Sequence, residues 1–102
     1  QLTKPQSNDV IKSPLVIEGS ARGFWFFEAS FPVKLLAANG KQFAVSHAEA
    51  LGNWMTVEMV PFRALLEFSA PVTDTGFLVL EKDNPSGLPE NAQEIRIPVR
   101  FK

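Results

Sequence analysis

The sequence predicts an all-β chain folded as an antiparallel β-sandwich of about seven or eight strands. Three observations carry this. Apolar and polar residues alternate with period two through most of the sequence. Gly, Pro, Asn and Asp interrupt that alternation at roughly 8–12-residue intervals. No segment of any length holds the 3.6-residue period of a helix, although Ala44–Leu51 (AVSHAEAL) has some helical propensity.

Taken in order, residues 1–8 (QLTKPQSN) are polar with one proline and read as a loose leader or linker, leaving residues 9–102 as one domain. Residues 9–12 form a short strand that ends at Ser13-Pro14. Leu15, Ile17, Gly19 and Ala21 then alternate with Val16, Glu18, Ser20 and Arg22, giving one apolar and one mostly polar face.

The next stretch, Gly23 to Phe31 (GFWFFEASF), holds five aromatic rings in nine residues. A single strand cannot send all of them to one core, because successive side chains point to opposite faces. Odd positions from Trp25 to Ala37 carry no polar residue, so Trp25, Phe27 and Phe31 are expected inward. On that reading Phe24 and Phe26 are surplus rings on the outer face. Pro32 lacks an N–H and predicts a bend, a bulge or an edge position.

Asn39-Gly40 predicts a type I′ hairpin turn, since both residues accept positive φ. The return strand places Phe43, Val45 and His47 on one face and Gln42, Ala44 and Ser46 on the other. After Gly52-Asn53, Met55, Val57 and Met59 alternate with Thr56 and Glu58 and read as a further strand. Ala64, Leu66 and Phe68 alternate with Arg63, Leu65 and Glu67 in the next. Pro71 and Asp74-Thr75-Gly76 make a corner before Phe77–Leu80, a run apolar on both faces that predicts an interior strand. A long turn from Lys82 to Asn91 leads to the last strand, where Pro98 on the outward face predicts an edge or a bulge.

The totals exclude several functions. A chain of 102 residues supports one domain with one core. Ten basic and eleven acidic residues are scattered rather than clustered, so no basic run is present to hold nucleic acid. No apolar run approaches the ~18–20 residues that span a bilayer as a helix. The absence of Cys excludes disulfide and thiolate chemistry. The sequence begins at Gln1 without Met, from which we expect either a removed leader or a piece of a longer protein.

Little reads as catalysis. The single histidine, His47, sits beside Phe43 and Val45 and reads as a structural or surface residue. Glu18, Glu28, Glu58 and Glu67 read as outward residues of solvated faces. In the turn of residues 81–91, Glu81, Asp83, Asn84, Ser86, Glu90 and Asn91 offer oxygen ligands of the kind calcium takes. Their spacing is not that of a calcium-binding helix–loop–helix, and Asn-Pro-Ser-Gly is also an ordinary turn sequence. No metal or cofactor is therefore assigned.

The order of several short motifs resembles the immunoglobulin-like domain of bacterial spore-germination proteins. These are Ser13-Pro14-Leu15 with Gly19 and Ala21, Phe27-Glu28 with Phe31 and Leu35, and Asn39-Gly40. Gly52 with Trp54, Gly76-Phe77-Leu78, Asp83 with Ser86-Gly87, and Ile97-Pro98-Val99 complete the set. The resemblance runs from about Val10 to Phe101. It implies an immunoglobulin-like sandwich in a secreted or membrane-anchored bacterial protein, with no enzymatic activity and a role in binding or spacing. The Cys and Tyr that pin antibody-type domains are missing, which leaves Trp25 or Trp54 to fill the central role.

The sequence thus predicts a non-catalytic docking or spacer module outside the cytoplasm, anchored if at all through a segment not present here. Phe24, Phe26, Glu28 and Trp54 are the candidate partner-binding residues. An envelope protein or a neighbouring domain of the same chain is the expected partner. A carbohydrate or peptidoglycan ligand stacked on exposed aromatic rings is the alternative.

Overall fold

The alternation in the sequence becomes seven strands, seen in a computed structural model that describes residues 2–69, 73–82 and 93–101. They are β1 (Leu2–Lys4), β2 (Leu15–Arg22), β3 (Ser30–Ala37), β4 (Gln42–Ala50), β5 (Met59–Leu66), β6 (Thr75–Glu81) and β7 (Glu94–Arg100). All pairings between them are antiparallel, in the order β1-β2-β5-β4-β3-β6-β7. The sheet is continuous but barely so at one place. The ladder between β4 and β5 has only the pairs Glu49–Arg63 and Ala50–Phe62, and there the sheet curls so that its two parts enclose one core.

That core follows the period-two pattern. β2 contributes Ile17 and Ala21, and β5 contributes Val60, Phe62, Ala64 and Leu66. From the other part come Phe31, Val33 and Leu35 of β3, Ala48 of β4, Leu78 and Leu80 of β6, and Val99 of β7. β6 lies between β3 and β7, as its run of apolar residues requires: Val79 is buried as well as Leu78 and Leu80. β7 is an edge with Pro98 exposed, so the missing N–H breaks no ladder.

Phe31, fully buried, touches three other rings edge-on: Trp25 at 5.6 Å, Phe26 at 5.2 Å and Phe62 at 4.9 Å between centroids. Such pairs add about 0.5–1.5 kcal/mol each beyond the area they bury. Because Phe31 belongs to β3 and Phe62 to β5, this cluster ties one part of the curled sheet to the other. A second trio, Phe43, Phe68 and Phe101, packs edge-on at 5.6–6.2 Å. On the outer surface Lys34 Nζ donates to Glu81 Oε1 at 3.0 Å, linking β3 to β6.

Several expectations are corrected. The strand read from Trp25 onward starts only at Ser30. Gly23–Trp25 is a turn of 3₁₀-helix, and Phe27 and Ser30 close a two-residue hairpin through Phe27 N–H to Ser30 O (2.8 Å) and Ser30 N–H to Phe27 O (3.1 Å). Its central residues, Glu28 (φ 51°) and Ala29 (φ 67°), are left-handed as a type I′ turn demands. Phe26 and Phe27 exchange places as a result, at 5% and 45% exposure, while Trp25 and Phe31 stay buried and Phe24 exposed as expected.

The hairpin expected at Asn39-Gly40 forms, with a different turn. Ala37 N–H donates to Lys41 O and Gly40 N–H to Ala37 O, so three residues make the loop. Gly40 alone takes positive φ, at 86°, while Asn39 Oδ1 accepts from Lys41 N–H. A bulge at Phe43, where the register jumps from Leu35–Ala44 to Leu36–Gln42, lets Phe43 reach the second aromatic trio. Beyond it, Ala44 and Ser46 are half-buried and Ala48 is buried, while Val45, His47 and Glu49 are exposed. The segment with helical propensity, Ala44–Leu51, is almost wholly β4.

The residues read as a leader include β1, whose Leu2 and Lys4 pair with Gly19 and Glu18 of β2. Of the short strand read at residues 9–12, only a parallel bridge from Val10 to Arg100 is present, flanked by Ile11 N–H to Arg100 O and Arg100 N–H to Asp9 O.

An L-residue in the left-handed region costs about 1–2 kcal/mol, partly offset in a glycine by ~0.5–1 kcal/mol of unfolded-chain freedom. Ala29→Gly is therefore expected to raise the urea unfolding free energy by up to about 1 kcal/mol. A clear loss of stability would contradict the Phe27–Ser30 turn.

Candidate functional site

The candidate site is a shallow apolar groove beside the 3₁₀ turn. Gly23 N–H donates to Glu58 O at 3.2 Å, Phe26 N–H to Gly23 O at 3.1 Å, and Arg22 donates through a guanidinium nitrogen to Val57 O at 3.2 Å. The bonds to Glu58 and Val57 fasten the turn against the segment before β5, and the bond within it closes the turn. The approach is close enough that a Cβ on residue 23 would overlap the carbonyl oxygens of Trp54 and Thr56. Only glycine fits there.

That segment was expected to be a strand and is not one. Asn53 Oδ1 accepts from Met55 N–H (3.0 Å), Thr56 Oγ1 accepts from Glu58 N–H (3.1 Å), and Thr56 N–H donates to Trp54 O (2.9 Å). Short polar side chains thus take backbone donors that a ladder would have used. Without a neighbouring strand, Met55 and Val57 stand out at 76% and 74% exposure.

Phe24, Phe26, Trp54, Met55 and Val57 line the groove. Phe24 is 53% exposed and carries Lys82 Nζ 5.3 Å from its ring centroid, a cation–π contact. Trp54 is half-buried and packs against the core. Phe26 forms the floor and belongs to the core through Phe31. Three of the four candidate residues therefore meet, though only Phe24 and Trp54 present substantial surface. Glu28 does not join them. It borders a separate depression with Ala29, Ser30, His47, Glu49 and Ala50.

That second depression holds a serine, the histidine and two carboxylates, so its chemistry can be tested for hydrolysis. Ser30 Oγ donates to Phe27 O at 3.4 Å, and no hydrogen bond joins Ser30, His47 and Glu49. A nucleophile needs its base within reach. Among the described residues no group of three or more His, Cys, Asp or Glu side chains is arranged to hold a metal. The calcium reading of the 81–91 turn rests mainly on residues 83–91, which lie outside the described residues.

Met55, Val57 and Lys82 were not singled out from sequence as binding residues. The alternation of Met55, Val57 and Met59 mimics a strand, and only Asn53 and Thr56, with their capping side chains, hint otherwise.

The two neighbouring phenylalanines give a sharp contrast. Phe26→Ser is expected to lower the unfolding free energy by roughly 3–5 kcal/mol, as loss of a buried ring does. Phe24→Ser, which gives up an exposed ring and one cation–π contact, should cost no more than about 1 kcal/mol. Chemical denaturation of both variants checks this, and equal losses would place Phe24 in the core.

Comparison with protein families matches residues 1–88 to the immunoglobulin-like domain of bacterial spore germination. The match takes in β1 to β6 and stops before β7, so Ile97-Pro98-Val99 lies beyond it. No curated protein and no solved structure matches the chain. With most of its length matched, and with seven antiparallel strands closed around one core, the chain belongs to the family of immunoglobulin-like domains of bacterial spore germination.

Proposed function

We propose that the domain is a non-catalytic docking module of a bacterial envelope or spore-germination protein, and that it meets a protein partner through the groove at Phe24. The single observation that carries this reading is the exposure of Phe24, Met55 and Val57 together on one short surface. Water gains by their burial, at about 25 cal/mol per Å² of apolar surface removed. The surrounding backbone is held in place by the bonds from Gly23 and Arg22, so the surface needs little ordering before contact.

Family membership supports a non-catalytic role and a setting at the envelope or the spore. No helix among the described residues is long and apolar enough to cross a membrane. The partner is an envelope protein or a neighbouring domain of the same chain.

Affinity capture from a bacterial envelope fraction tests the groove. The wild-type domain should retain a partner that Phe24→Ser combined with Val57→Ser loses about tenfold or more, while circular dichroism stays unchanged. Equal retention by the folded double variant would remove the groove from the account. Soluble peptidoglycan fragments added in parallel should leave Trp54 fluorescence unaltered. A shift abolished by Trp54→Ala would transfer the reading to a glycan ligand.

A further inference from the structure

The groove at Phe24 is apolar inside and cationic at its rim. Lys82 Nζ stands 5.3 Å from the Phe24 ring centroid, and Arg22 donates through its guanidinium to Val57 O at 3.2 Å. Each cation thus touches one of the exposed residues that line the groove. Neither contact neutralises the charge, since neither a ring face nor a carbonyl carries a formal one. Among the described residues the ion pairs are Lys4–Glu18, Lys34–Glu81 and Arg96–Glu94, and Arg22 and Lys82 belong to none of them. Glu58 follows Val57 in sequence but is not a lining residue. The whole chain has a net charge of −1, so this pair of cations is a local feature and not a sample of a basic surface.

The wall of the groove also restricts how a partner can bind. The N–H groups of Met55, Thr56 and Glu58 are donated to Asn53 Oδ1, Trp54 O and Thr56 Oγ1. The carbonyls of Val57 and Glu58 are taken by Arg22 and by Gly23 N–H. Adding a strand needs a row of free main-chain donors and acceptors, and this segment has spent its own. Recognition therefore falls to side chains. Met55, 76% exposed and unbranched, adapts to apolar partners of different shape.

We infer that the groove takes an acidic, apolar segment of the partner. Its bulky apolar side chains sit against Phe24, Met55 and Val57, and Asp or Glu residues beside them meet Lys82 and Arg22. This rests on the docking reading proposed above and gives it a ligand class. Opposite charges at the rim of an apolar contact speed association and reject basic competitors more than they add affinity. Exposed charges are screened by salt, so the preference is greatest at low ionic strength.

Selection from a display library of random short peptides tests this. Peptides enriched on the wild-type domain should carry Asp or Glu beside Phe, Leu, Ile or Trp in clear excess over the starting library. A consensus peptide from that set should bind about tenfold less tightly to Arg22→Glu combined with Lys82→Glu, and less tightly to the wild type as salt rises. Arg22 also holds the Val57 carbonyl, so Lys82→Glu alone decides if the double variant loosens the turn; it should weaken binding about threefold. Neutral or basic consensus peptides, no enrichment, or binding indifferent to Lys82→Glu overturns the inference. Phe24→Ser combined with Val57→Ser separates the two readings. If it abolishes binding of peptides that ignore the charge variants, the groove stands and only the acidic ligand falls. If it retains acidic peptides, both fall. Cosedimentation with phosphatidylglycerol vesicles that is lost in the same variant would make the surface a lipid contact and overturn the inference as well.

Discussion

The edge-on packing of Phe31 against Trp25, Phe26 and Phe62 is the contact on which the rest of the molecule depends. β4 and β5 share only two residue pairs, so backbone hydrogen bonds alone hold the two parts of the curled sheet together weakly. Phe31 and Phe62 span that gap from β3 and β5. Trp25 and Phe26 reach the same ring from the connection between β2 and β3, which makes an otherwise irregular segment part of the core.

The candidate site follows from that arrangement. Drawing Trp25 and Phe26 inward requires the chain to turn tightly at Gly23 and again at Glu28-Ala29, which leaves Phe24 and Phe27 outside. The groove is thus built on the back of the aromatic cluster, with Phe26 serving both as floor and as core. Exposed rings fixed in this way differ from stray surface hydrophobes, because their backbone is held by long-range bonds to Val57 and Glu58.

Much of the fold was legible in the sequence because long-lived alternation marks a half-buried sheet. The inward residues of β2 and β5, the interior position of β6 and the edge position of Pro98 all come from that pattern. Where it misled, local hydrogen bonding overrode periodicity. Nothing in Glu28-Ala29 advertises a type I′ turn, while Asn39-Gly40, which does, sits in a three-residue loop. One unforeseen turn exchanged Phe26 with Phe27 and left Trp25 and Phe31 inward, because the 3₁₀ turn and the two-residue hairpin interrupt the alternation only between them. Residues 53–58 read as a strand from Met55, Val57 and Met59, yet side-chain oxygens of Asn53 and Thr56 claim the donors a neighbouring strand would need. Of the candidate site, Phe24, Phe26 and Trp54 were named from the sequence, the two phenylalanines as rings surplus to the inward face, whereas Met55, Val57 and Lys82 needed the three-dimensional fold.

A double-mutant cycle on Phe31 and Phe62 tests the role of the cluster most directly. Replacing each by Leu keeps apolar volume but removes the ring-edge contact, so the two losses should overlap by about 0.5–1.5 kcal/mol in unfolding free energy. Losses that simply add, within about 0.3 kcal/mol, would mean that the rings do not interact and that something else holds the curled sheet closed.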